Sequence, residues 1–163
     1  MKKKIIFSIA FIVALFGCKK ENPVEQHDEQ FIQIDYSYNF KDELNTFEGF
    51  LQKDLVMDGT TKVSFWLSTQ EQNSILEAVN EAHFFALPDT IYSQKDVTIA
   101  PNPSPDGLRI KYEGQEKTVT WFYPLEPGSE STLLLNNLTS KIREVINSSS
   151  TYQKLPPARG GYQ

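Results

Sequence analysis

The sequence predicts an α+β domain whose antiparallel sheet has about five strands, arranged as a three-stranded meander, a helix, a hairpin and a second helix, with both helices on one face. Three observations predict it. Residues 32–40 and 108–123 alternate apolar and polar side chains, the period of a half-buried strand. Residues 68–85 and 130–147 instead space their apolar side chains three and four apart, the stripe of an amphipathic helix. Asp58-Gly59 and Glu113-Gly114 then supply residues that tolerate the positive φ of tight hairpin turns. The chain has 163 residues, 39% of them hydrophobic, which is material for one domain with its own core.

Taken in order, the chain begins with Lys2-Lys3-Lys4 and a mostly apolar run from Ile5 to Phe16. Basic residues before a short apolar run are the pattern of a secretory signal. As a helix that run would extend about 18 Å, against roughly 30 Å of bilayer hydrocarbon, so it is too short for a permanent span. Leu15-Phe16-Gly17-Cys18 resembles the lipobox of bacterial lipoproteins, with Phe16 as its departure from the usual pattern. The resemblance implies that residues 1–17 are a signal peptide cut off before Cys18, whose thiol carries the lipid. Cys18 is the only cysteine in the chain, so it has no disulfide partner, which agrees with acylation. Two or more acyl chains anchor stably where one holds marginally, and Lys19 and Lys20 lie where anionic headgroups attract them. Cys18-Lys19-Lys20-Glu21 also resembles the surface-export signal of lipoproteins in some Gram-negative lineages. The implied location is the cell envelope, outside the cytoplasm, at the outer membrane or cell surface in a Gram-negative cell.

Residues 18–30 read as the acylated cysteine and a flexible tether, because residues 19–30 offer one apolar side chain, Val24, and one proline. His27 there is a solvated linker histidine, since no second histidine or cysteine is near enough to share a metal. A single domain spans 31–163. Its first strand presents Ile32, Ile34, Tyr36, Tyr38 and Phe40 on one side. Residues 41–45 read as a polar turn, residues 46–57 as a second strand, and Val63, Phe65 and Leu67 as the inward side of a third.

Ser68-Thr69-Gln70-Glu71 is a capping-box signature. The helix it opens carries Ile75, Ala78, Val79, Ala82 and Phe85 on its buried side and stops before Pro88. His83 lies near its end, where the helix dipole suits positive charge. Residues 86–107 follow with Pro88, Pro101, Pro103 and Pro105 and little periodicity beyond a short strand at 97–100. Compact domains seldom carry connections that long without using them. Ile91, Tyr92, Val97 and Ile99 are therefore the candidate partner-contact residues; the alternative is that they pack on the domain itself. Asp89-Thr90-Ile91 resembles the Asp-Thr-apolar motif at which some Gram-negative bacteria O-glycosylate secreted proteins.

Leu108, Ile110 and Tyr112 alternate, residues 113–116 turn, and Val119, Trp121 and Tyr123 alternate back. A second helix from about Glu130 to Asn147 buries Leu134, Leu135, Leu138, Ile142, Val145 and Ile146. In the C-terminal tail, Tyr152 and Leu155 are expected to pack back on the domain. This order of elements, with Phe84-Phe85-Ala86-Leu87-Pro88-Asp89, Gly114-Gln115-Glu116-Lys117-Thr118-Val119 and the segment from Tyr152 to Tyr162, resembles uncharacterised bacterial lipoproteins built on small domains of unknown function. The resemblance implies fold and location only.

The net charge of −5, which loss of three N-terminal lysines would make more negative, and the absence of a basic cluster exclude nucleic acid as a partner. His-Glu-x-x-His, Gly-x-Ser-x-Gly and phosphate-loop motifs are missing. With one cysteine and two distant histidines, the domain is expected to fold without disulfide, metal or cofactor. Two readings remain: a membrane-anchored binding or interaction module with a protein or glycan partner, and a cell-surface enzyme using His83 with nearby carboxylates.

Overall fold

A computed structural model describes residues 28–92, 105–121 and 128–162. The elements are β1 (Ile32–Tyr38), β2 (Asp42–Asn45), β3 (Phe50–Asp54), β4 (Thr60–Ser64), α1 (Thr69–Glu81), a 3-10 turn (Phe84–Ala86), β5 (Thr90–Ile91), β6 (Asp106–Tyr112), β7 (Gln115–Trp121), α2 (Glu130–Ser148) and α3 (Ser150–Gln153). One sheet holds all seven strands in the order β4-β3-β2-β1-β6-β7-β5. Every pairing is antiparallel except that of β5 with β7.

The α+β class matches the sequence reading, but the sheet is mixed with seven strands rather than antiparallel with about five. Two strands account for the difference. Residues 41–45, read as a turn, contain β2, because the chain already reverses at Asn39 (φ 48°) and Phe40 (φ 71°). No glycine marks that reversal, and a bulky residue at positive φ is rare enough that sequence gives no warning of it. The other strand is β5. Its Thr90 and Ile91 pair in parallel with Thr120 and Trp121, over too short a span to show alternation.

The second predicted strand is also shorter than residues 46–57, since residues 46–49 turn before β3 begins. Gly49 is required there: it sits at φ +74°, and a Cβ would lie 2.2 Å from the Trp66 ring. At Asp58-Gly59, Gly59 takes φ 77° and its carbonyl accepts from the Leu55 amide at 2.8 Å, closing the β3–β4 hairpin as read.

Helix α1 starts as its capping box requires. The Ser68 Oγ accepts from the Glu71 amide at 3.3 Å, and Glu71 Oε2 accepts from the Ser68 amide at 2.8 Å. It ends sooner than Pro88. His83 adopts φ 48°, and the reversal there turns Phe84 into the core at 0% exposure while Phe85 is only half-buried. Phe84 therefore takes the role that helical spacing assigns to Phe85. The N-cap of α2 is Ser129, whose hydroxyl accepts from the Thr132 amide at 3.1 Å.

One hydrophobic cluster joins Ile32, Ile34 and Tyr36 of β1, Leu108 and Ile110 of β6 and Val119 of β7 to Ile75 and Val79 of α1 and Leu135, Leu138 and Ile142 of α2. The strand residues share one parity, which defines the core face of the sheet. Residues of the other parity, such as Asp35, Arg109 and Thr118, define the outer face.

Both ends of the domain are fastened. Asp28, Glu29 and Gln30, assigned by sequence to the tether, bond to the start of α1: Asp28 Oδ2 accepts from the Thr69 amide at 2.8 Å, and Gln30 Nε2 donates to the Leu67 carbonyl at 2.8 Å. At the other end Tyr152 and Leu155 pack against the core as expected. Beyond them, Arg159 donates to both carboxylate oxygens of Asp58 at 2.8 and 2.6 Å, and the Tyr162 hydroxyl donates to Asp54. Among the described residues, no helix is long and apolar enough to cross a membrane.

Candidate functional site

Alternation along β1 places Tyr36 and Tyr38 on the core face, their rings stacked 4.5 Å apart. Register then sets their neighbours at this end of the sheet. Tyr38 is opposite Asp42 on β2, and it lies one step beyond the Ser37–Gly107 pair, beside Asp106 of β6. Asp106 is in turn opposite Trp121 of β7, which is opposite Ile91 of β5. A row of side chains, Asp42, Tyr38, Asp106, Trp121 and Ile91, thus crosses five strands. Over it lie Thr139 and Arg143 of α2, one helical turn apart and both close enough to the Tyr36 hydroxyl to oppose the effect of its burial.

Burial dominates the electrostatics of this row. It pushes the Tyr36 hydroxyl up to about 12, with Arg143 opposing, and raises Tyr38 still further with help from the Asp42 charge. Asp106, only 9% exposed, is pushed up to about 6 by desolvation, with the Arg143 guanidinium pulling it back. Asp42 is raised for the same reason, against the Asp54 amide, which donates to it at 2.7 Å. The arrangement combines a fixed cation, a carboxyl whose charge changes near neutral pH and a stacked aromatic pair, the kind of perturbed cluster that marks binding and catalytic sites.

Of the predicted contact residues, Tyr92 is 74% exposed and available. Ile91 is not: it is a core residue at 5% exposure, held against Trp121, so it packs on its own domain. Val97, Ile99, the strand expected at 97–100, the lipidation residue Cys18 and His27 lie outside the described residues. Thr90, in the Asp-Thr-apolar motif, is half-buried on β5 with its hydroxyl 3.4 Å from that of Thr120. His83 is exposed beyond α1, and among the described residues no hydrogen bond joins its side chain to a carboxylate.

Alternation alone puts Tyr36 and Tyr38 in the core and says nothing of their hydroxyls, and Asp106 falls by sequence in the loop of residues 86–107. The available signal was chemical. Two tyrosines on a buried parity need polar partners, and Thr139 and Arg143, at helical spacing beside Leu138 and Ile142, are polar residues on the side of α2 that meets Tyr36. No protein-family model, curated protein or solved structure matches the chain. The residues themselves carry the functional reading.

Proposed function

We propose that this chain is a lipoprotein of the cell envelope, held outside the cytoplasm by acyl chains on Cys18, and that its domain, with both long helices against the core face, is a binding module. The observation that carries the proposal is the sequence Leu15-Phe16-Gly17-Cys18, which closes a basic-then-apolar leader on the only cysteine of the chain. The module reading draws on exposed Tyr92, which follows Ile91 at the end of the row that also holds Asp106 and Trp121. Tyr36 and Asp106 are too buried to meet a substrate directly, which favours shaping a recognition surface over acid-base catalysis. An enzymatic role through His83 has less support, since His83 has no carboxylate to orient it among the described residues.

Expression of the full chain and of Cys18→Ser in a bacterial host, followed by membrane fractionation, tests the anchor. The native chain should sediment with membranes and leave only in detergent. The variant should be secreted, soluble or uncleaved. Equal membrane retention of both as chains already cut before residue 18 would refute anchoring through Cys18.

A further inference from the structure

We infer that the outer edge of β7 is a docking site for an extended segment of a partner protein, which would add a strand to the sheet there. This deepens the binding-module reading but does not depend on acylation at Cys18. The inference starts from a gap. Strand β7 pairs with β6 over residues 115–121, whereas β5 covers only Thr120 and Trp121 on the other side. Among the described residues, nothing pairs with the outer edge of 115–119.

The backbone orientation at that edge follows from one bond. The Thr120 amide donates to the Asp89 carbonyl at 2.9 Å, so Thr120 turns its backbone polar groups away from β6. By the two-residue period of a strand, Thr118 and Glu116 turn theirs the same way. They face a trough of about 790 Å³ bounded by Phe85, Asp89 and Thr90. Unpaired strand edges of this kind accept extended peptides through main-chain hydrogen bonds, with side-chain positions supplying selectivity. That an extended segment fits this edge is already shown by β5, which occupies its last two positions.

Charge decides between a second copy and a different partner. Two copies pairing antiparallel through Glu116 and Thr118 would centre on Lys117 and set Lys117 opposite Lys117. Centring on Glu116 would set two carboxylates together, and centring on Thr118 would need Thr120, which β5 already holds. Like charges directly opposite are destabilising. The occupant is therefore an extended peptide with an apolar residue over Phe85 and a neutral or acidic residue opposite Lys117, whose ammonium pairs with Asp89 at 2.5 Å.

A heptapeptide display library panned on the immobilised full chain tests this, with an enriched peptide resynthesised as the probe. Binding should slow hydrogen exchange at the Glu116 and Thr118 amides. It should weaken at least about tenfold in Thr118→Pro, which removes the donor at a position where an edge strand tolerates proline. Thr118→Ala, which keeps the amide, should bind as the native chain does, and Cys18→Ser should not alter binding. Failure to enrich any peptide, binding that survives Thr118→Pro, or protection located elsewhere would overturn the inference.

Discussion

On β1, Ile32, Ile34 and Tyr36 are fully buried, while Asp35 and Ser37, interleaved with them on the same strand, face the other way and retain exposure. The core face is closed by α1 and α2. The outer face is organised by charge: the Arg109 guanidinium lies 4.3 Å from the centre of the Phe47 ring and 2.6 Å from Glu116, and Asp35 is raised by burial and Glu43 while Arg109 opposes the shift. Both faces hang on one hydrogen-bond ladder, so the backbone does not separate them. Burial concentrates stability on one face, and the other is left free to change at small energetic cost.

Substitutions that break this contrast should rank accordingly. Phe84→Ala should cost about 3–5 kcal/mol in denaturant unfolding, because it empties a fully buried aromatic site. Phe85→Ala should cost clearly less, and equal losses would contradict the His83 reversal. Gly49→Ala should cost about 1–3 kcal/mol, from positive φ and the collision with Trp66. Ser68→Ala, which removes one half of the capping box, should cost about 1 kcal/mol.

Asp106 sharpens the contrast through pH. Its folded-state pKa of about 6 lies above the unfolded value of 3.8, so the native state binds this proton more tightly. Its ionised form is a destabilising contribution, fully present above about pH 6 and relieved as pH falls towards 3.8. Asp106→Asn should flatten that part of the melting-temperature profile between pH 4 and 7. Asp28 acts in the opposite sense: its pKa is lowered by the Thr69 amide, so its stabilisation is present above 3.8 and lost as the solution becomes more acidic. The smallest effect belongs to the outer face, where Ser37→Ala should stay within about 0.5 kcal/mol. A loss comparable to Phe84→Ala would end the distinction between the faces.

Elements announced by side-chain chemistry were legible. The capping box at Ser68, the Asp58-Gly59 hairpin and the stripe of α2 each express a local rule, and the structure follows it. What sequence missed depends on non-local pairing or on backbone conformations that no residue type advertises. Strand β2 exists because β1 and β3 flank it, and the reversals at Phe40 and His83 place non-glycine residues at positive φ. The Asp106 cluster was illegible for a related reason. Its members come from β1, β6 and α2, and only the sheet register and the turn of α2 bring Tyr36, Asp106 and Arg143 together.

The most direct measurement on the functional proposal is the intact mass of the protein extracted from membranes with detergent. Acylation predicts a chain that begins at Cys18 and carries the added mass of two or three acyl chains, on a fragment that Cys18→Ser does not yield. A mature chain with an unmodified Cys18, or one cut at another position, would contradict it.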